Sequence, residues 1–395
     1  MDNDQSCNLI SHSDKQTYIV GVYGSGYPER RMINDRAEEC SYVHVKNRYR
    51  IYAFFLKVIK KIFPSFERSN VFGDGVLFTI YVPKKDDYLI HVFDRIVLDN
   101  NHKWATTFEA TLPAFFNYDP ESVRRFMKKR LKHILSDNCK AIMPMSKWAY
   151  NLEIKLISEF ASTDEAECVR RKMKVLYPPQ KCFVSAEYVH QKCEVLRASQ
   201  KIRFLYVGKD FVRKGGEIVL DVFDELSREY RNFSVVVIGN AEGTARKRIA
   251  DITENSSWLQ YYDSLSNDKV IELAKESNVG LLPTFFDTFG FSILEMQSCG
   301  CPVITTNGEA RAEINDDVFG WIIDTKSIEN GKEWLENFEL LRSFISTKLK
   351  DIVRSILDDP SCIEHKALKS IERVAKYHDP ERYSDELRKI YALCR

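Results

Sequence analysis

Two acids and a group of cations in the second half of the chain have residue types and spacing suited to a phosphate and a sugar. Asp287 and Glu295 are separated by seven residues. Asp287 follows a strand-like apolar run at 279–282 that stops at Pro283, Gly290 and Phe291 stand where a helix should begin, and Glu295 falls inside that helix. Upstream, the segment Gly208-Lys209-Asp210-Phe211-Val212-Arg213-Lys214-Gly215-Gly216 follows another strand-like run at 202–207 and places cations at the start of the next helix. Breaking a sugar–phosphate bond requires the charge on the departing diphosphate to be compensated. Cations and the free N–H groups of a helix start can do this. Carboxylates grip hydroxyls and tolerate an oxocarbenium-like centre. Spacing alone leaves plainer readings open: a solvated basic turn, and a helix-start acid with one surface Glu.

Those residues need a scaffold that brings strand ends to one edge. Residues 17–23 form a β-branched and aromatic run that ends at Gly24-Ser25-Gly26, a strand and glycine turn of the kind that opens many nucleotide-binding α/β domains. Residues 49–63 have helical spacing, 76–82 and 88–93 read as strands, and 104–108 is a further short strand ending at Glu109. A basic helix over 121–135, a strand over 139–144, a helix capped by Ser146 and a strand at 175–177 complete the first half. Pro178-Pro179 opens a stretch without clear periodicity, and 178–200 is expected to be the linker. The second half alternates again: strands at 202–207, 233–238, 279–282, 303–305 and 320–323, and helices at 219–230, 269–275 and 292–298. From about 347 the chain is helical, divided by Pro360 and Pro380. Alternation of this kind implies parallel sheets in an α/β fold. The expected division is 1–195, 196–360 and a helical tail, 361–395, packing back toward the first domain.

Composition narrows the function classes. The 395 residues carry a formal net charge of +1, so bulk attraction to nucleic acid is not expected. Ten cysteines are scattered without C-x-x-C spacing, which predicts free thiols in a reducing compartment. The polar start has no signal-peptide pattern and no apolar run approaches the ~20 residues of a membrane span. A cytoplasmic protein is expected.

The second half, from about 203 to 324, resembles the family 4 retaining glycosyltransferases of GT-B fold. Asp287 through Glu295 is similar to that family's acid-x7-acid element. Met296-Gln297-Ser298-Cys299-Gly300-Cys301-Pro302-Val303-Ile304 is similar to its helix ending, and Gly308, Glu313 and Gly320 fall on its next glycine, acid and glycine. Arg213-Lys214-Gly215-Gly216 resembles its phosphate-binding turn. The resemblance implies two facing Rossmann-like domains with a deep cleft between them. It also implies transfer of a hexosyl group from a nucleotide-diphosphate sugar to a glycan or lipid-linked glycan, as in bacterial surface polysaccharide synthesis. Lys209 and Lys214 would hold the diphosphate, with Arg213 and Gly215 in the same turn. Glu295 would hold the ribose and Asp287 would contact the transferred sugar. The N–H groups of Phe289, Gly290, Phe291 and Ser292 would meet sugar or diphosphate. Two positions depart from the pattern: Asp287 stands where the family usually has Glu, and Lys209 where it often has Arg, whose fork Lys lacks.

In the first half, Asp87-Tyr88-Leu89-Ile90-His91-Val92-Phe93 resembles the family's Asp-x-Ile-His strand, and Thr106-Thr107-Phe108-Glu109 occupies the place of a cleft-facing pair. Glu109 is the catalytic candidate carried over there, with a helix-start acid as the plainer alternative. His91 reads as a satisfied strand histidine, and Gly24, Ser25 and Gly26 as a cleft loop. No metal or other cofactor is expected. The only Asp-x-Asp spacing is Asp2 and Asp4, in the terminal tail. Basic stretches at 46–63 and 122–133 contain no acid, and Phe126, Leu131 and Ile134 give the second an apolar side, so peripheral contact with an anionic membrane is one expectation and an ordinary solvated face the other. A silent, glycosyltransferase-like subunit that binds donor or a partner enzyme is the alternative function. A nicotinamide oxidoreductase fits poorly, because Gly24 and Gly26 are followed by Glu29 where a third glycine belongs.

Overall fold

The computed structural model describes residues 18–24, 26–47, 58, 79–82, 88–98, 101–113, 120–326 and 338–393. Two parallel sheets organise them. The first has the order β2-β1-β4-β6-β7, with β1 Tyr18–Val22, β2 Cys40–His44, β4 Leu89–Phe93, β6 Trp104–Phe108 and β7 Cys139–Pro144. A separate short pair joins β3 Thr79–Ile80 to β5 Ile96–Val97. The second sheet has the order β10-β9-β8-β11-β12-β13, with β8 Ile202–Asp210, β9 Phe233–Asn240, β10 Leu259–Tyr262, β11 Val279–Leu282, β12 Val303–Thr306 and β13 Trp321–Ile323. The central strands are apolar runs because helices cover both faces; β4, β6, β11 and β12 are buried at every position. This is the expected GT-B architecture of two parallel-sheet α/β domains.

The helices of the first part are α1 Tyr27–Met32, α2 Pro120–Leu135, α3 Lys147–Ser158 and α4 Thr163–Lys172. Ser146 accepts the Ala149 amide at 3.0 Å and starts α3 as its position in the sequence predicts. Then come α5 Ala186–Ser199, α6 Gly216–Leu226, α7 Gly243–Asn255, α8 Asn267–Glu276, α9 Phe291–Ser298, α10 Arg311–Ile314, α11 Phe338–Asp358, α12 Cys362–Tyr377 and α13 Pro380–Ala392. One apolar cluster runs from Val20, Val22 and Met32 through Phe289 and Ile293 to Tyr383, Leu387 and Tyr391. It joins the first sheet, α9 and the final helix. Tyr383 also donates to the Met32 carbonyl at 2.6 Å, and Arg388 pairs with Glu39 at 3.3 Å.

Three sequence expectations need correction. Residues 178–200 are not an irregular linker: α5 fills most of them, capped by Ser185, and buries Val189, Cys193 and Leu196 at helical spacing. The exposed Val195 and Tyr188 on its outer side obscure that stripe. Residues 175–177 form no ladder; the bridge there is Met173 to Ile142, with the Lys174 amide bonded to Ile142 O at 2.9 Å and the Leu176 amide to Pro144 O at 3.0 Å. The prolines that follow have no N–H to extend a pairing. Strand β8 does not stop at 207 but continues to Asp210 through an irregularity after Val207. The helical expectation at 49–63, the tail with Asp2 and Asp4, Ser25 and Asp87 lie outside the described residues, apart from Val58, which is helical.

Candidate active site

The turn after β8 is fixed by the chain itself. The Lys214, Gly215 and Gly216 amides donate to the carbonyls of Asp210, Val212 and Phe211 at 2.8, 3.0 and 2.8 Å. Gly215 has φ +79°, and a Cβ there would lie 2.1 Å from the Pro283 carbonyl oxygen. The glycine therefore serves a close approach between two segments of the protein. The Phe285 amide and the Thr284 hydroxyl both donate to Arg213 O, at 3.0 and 3.1 Å. Arg213 turns inward too: it pairs with Asp210 at 2.7 Å and donates to Phe286 O. Lys214 pairs with Asp287, and both are largely buried. Lys209 is exposed and forms no ion pair among the described residues.

The loop carrying Asp287 is held from below by Arg311, which is fully buried. Its guanidinium donates to Asp287 O at 2.9 Å and to Thr306 O at 3.1 Å, and pairs with Glu309 at 2.5 Å. Phe289 is fully buried. Gly290 is left-handed and caps α9 without a side chain, while Phe291 and Ser292 are half-buried. The first amides of α9 thus have no side-chain cap, as an anion-binding helix start requires.

Glu295 lies on α9 and is 9% exposed. Its Oε1 accepts the Tyr27 hydroxyl at 2.8 Å and Arg31 Nη1 at 3.1 Å, both from α1. Arg31 also donates to the Gln180 side chain and lies 4.9 Å above the Phe291 ring, which Tyr27 meets edge-on at 5.5 Å. From the first sheet, Glu109 accepts the Thr288 hydroxyl. The Glu109 amide donates to Asp94 Oδ1 at 3.1 Å. Burial pushes the carboxyls of Glu109 and Asp94 upward; Thr288 opposes this at Glu109, and the neighbouring Glu109 reinforces it at Asp94. Glu109 starts no helix; a non-helical turn follows it. His91 stands apart, buried between Tyr391 at 2.8 Å and Thr107 at 2.9 Å, and burial lowers it to about 3. Gly24 has φ +99°, and the Glu29 carboxylate folds against it, 2.4 Å from where a Cβ would sit. Gly26 is the residue before α1.

The structure therefore gathers Lys214, Asp287, the α9 start, Glu295 and Glu109 at the meeting of the two sheets. Tyr27, Arg31, Thr288, Asp94 and Arg311 are also at the site, outside the motifs of the sequence. The Arg30-Arg31 pair just after the Gly24–Gly26 turn was the available signal. Among the described residues, no cluster of His, Cys, Asp and Glu has metal-binding geometry, and no helix is long and apolar enough to cross a membrane.

Residues 191–351 match the family model described as Glycosyl transferases group 1. This part of the chain is similar to the group 1 glycosyltransferase domain. It contains Lys209, Lys214, Asp287 and Glu295, and it contacts Glu109, Tyr27 and Arg31 of the part that precedes it. The O-antigen chain mannosyltransferase B of Escherichia coli is 23% identical over 254 residues, 62% of this chain and 63% of that protein, so the match spans less than two thirds of the relative. A glycosyltransferase structure from Rickettsia africae superposes with TM-score 0.58 at 16% identity, over 95% of this chain and 98% of that one. The Anabaena protein HepE, solved with UDP and glucose, superposes with TM-score 0.54 at 10% identity, over 95% and 99%. At these identities the structural likeness establishes the GT-B fold around residues 191–351.

Proposed function

We propose that the chain is a retaining glycosyltransferase of the family 4 kind, moving a hexosyl group from a nucleoside-diphosphate sugar to a glycan or lipid-linked glycan during bacterial surface polysaccharide synthesis. One observation carries the reading: the acid pair Asp287 and Glu295, Lys214 and an uncapped helix start meet Glu109 from the opposite domain at one junction. The sugar C1–O bond breaks and its electron pair passes to the diphosphate. Lys214, Lys209 and the α9 amides compensate that charge. Glu295 holds the ribose hydroxyls. Asp287 supports positive charge at C1 while the acceptor oxygen bonds on the same face. The acceptor proton leaves to the departing phosphate oxygen, with Glu109 lining the acceptor side. The similarity to an O-antigen mannosyltransferase supports the polysaccharide role, and HepE with UDP and glucose supports a nucleotide-sugar donor.

Thermal shift with UDP, GDP and ADP comes first, since a bound nucleotide raises stability by mass action. One base should stand out. Glu295→Gln should weaken that nucleotide about tenfold, the loss of roughly one charge-assisted hydrogen bond. Asp287→Asn should lose about 100-fold in turnover with nucleotide affinity nearly kept. The anomeric configuration of the product, read by NMR, tests retention. A chain that neither binds a nucleotide nor consumes any nucleotide sugar would overturn the proposal.

A further inference from the structure

A cavity of about 740 Å³ opens where the chain crosses from the first sheet to the second and helices α12 and α13 return. None of Lys209, Lys214, Asp287, Thr288 and Glu295 lines it. Its walls come from three parts of the fold: Lys147 and Tyr177, then Glu313 and Phe319, then Arg373 and Arg382. Counted by residue type the lining is balanced, with Lys147, Lys174, Arg373 and Arg382 against Glu313, Asp316, Asp379 and Glu386. The acids, however, are already engaged. Glu313 accepts the Lys147 and Trp148 amides at 2.9 and 2.6 Å and the Tyr177 hydroxyl at 2.8 Å. Asp316 accepts the Val318 and Phe319 amides, and Asp379 those of Glu381 and Arg382. Glu386 pairs with Lys174 and Lys389.

Of the four cations, only Lys174 is paired with one of these acids. Among the described residues, Lys147, Arg373 and Arg382 form no ion pair. Arg373 is held by its other groups: one nitrogen donates to Glu313 O at 2.5 Å, and the guanidinium lies 3.9 Å from the Tyr377 ring centre and 5.7 Å from that of Phe319. Its Nη1 is buried and has no hydrogen-bond partner. A stacked guanidinium that lines the cavity together with a lysine and a second arginine is preorganised for a tetrahedral anion. We infer that this cavity is a second ligand site, distinct from the donor site, which binds a phosphate monoester through Arg373, Lys147 and Arg382. Because Lys147, Phe319 and Arg373 belong to different parts of the fold, an anion bridging them ties the two domains together.

The test is calorimetric titration of the full chain with glucose 6-phosphate and, separately, with inorganic phosphate, each in low salt and with saturating nucleotide present. Filling the donor site leaves a single binding event in place, and Arg373→Gln and Lys147→Met each weaken it at least tenfold while Lys214→Met leaves it unchanged. Tighter binding of glucose 6-phosphate assigns a sugar ester, and equal binding of both assigns the phosphate group alone. Arg373→Lys, which keeps the charge, recovers part of the affinity and separates a lost contact from a misfolded variant. No binding of either probe, loss of binding on nucleotide addition, or undiminished binding in Arg373→Gln overturns the inference. A chain that binds no nucleotide but still binds the phosphate ester removes only the donor-site reading.

Discussion

Glu153 is fully buried on α3, with Oε2 accepting the Leu112 amide at 2.9 Å and Oε1 buried without a partner. Burial pushes its carboxyl to about 8. The folded state therefore holds a proton that the unfolded chain, titrating near 4.5, has released. Between those values the native state binds more protons, so this residue's contribution falls as pH rises through the window and levels off above about 8. At about 1.4 kcal/mol per pH unit the limit is several kcal/mol. Glu153→Gln keeps an acceptor for Leu112 and removes the titration. Its melting temperature relative to the parent's should climb steadily between pH 5 and pH 8, and a flat difference would show that Glu153 stays ionised in the fold. His91 has the opposite sign: held neutral down to about 3, it lowers stability as pH falls below 6.5. Melting curves of parent and variant at each pH separate the two contributions.

At the scale of elements, the turn between β8 and α6 shows how far the sequence could be read. Its cations and glycines were legible as a motif, and Lys214 does reach Asp287. The partners of Arg213 and Gly215 were not, because both serve the loop after β11, and residues 73 apart are brought together only by the parallel order β8-β11. Gly215→Ala should therefore cost stability, about 1–3 kcal/mol for the left-handed backbone alone. Donor binding should fall with it as the turn leaves Pro283; denaturant melts and nucleotide titration report the two effects. The strands were the easiest elements to place, since burial on both faces gives them unbroken apolar runs. Helices such as α4, which buries only Ala166 and Val169, give too thin a stripe. In α2 the basic pattern was legible but its use was not: Phe126, Met127, Leu131 and Ile134 all face the core. What α2 offers an anionic surface is thus charge, with no apolar side to insert. In flotation with anionic vesicles, any binding should vanish between low and physiological salt, and binding that survives high salt would contradict this view of α2.

For the whole molecule, the notable contact is the one that closes it. Tyr27 and Arg31 of the first domain occupy Glu295, the carboxylate proposed to hold the donor ribose. Ribose and Tyr27 then compete for the same oxygen. Tyr27→Phe removes a hydrogen bond worth about 1 kcal/mol, so the preferred nucleotide should bind about fivefold tighter. Weaker binding in that variant would mean that the tyrosine assists the donor instead of standing in its place. Beyond the Arg30-Arg31 pair, nothing in the local sequence signals this closure, because Tyr27 and Glu295 are 268 positions apart and share no pattern.

Tyr391 on α13 donates to or accepts from His91 on β4, three hundred positions earlier. A ribosome that has added His91 must add another 300 residues before that imidazole meets its phenol. Until then the flank of the first sheet that Tyr383, Leu387 and Tyr391 will cover stays open to water. The first sheet is thus completed only after the second, and a nascent chain that stalls after α12 would hold a finished second sheet beside a sticky first one.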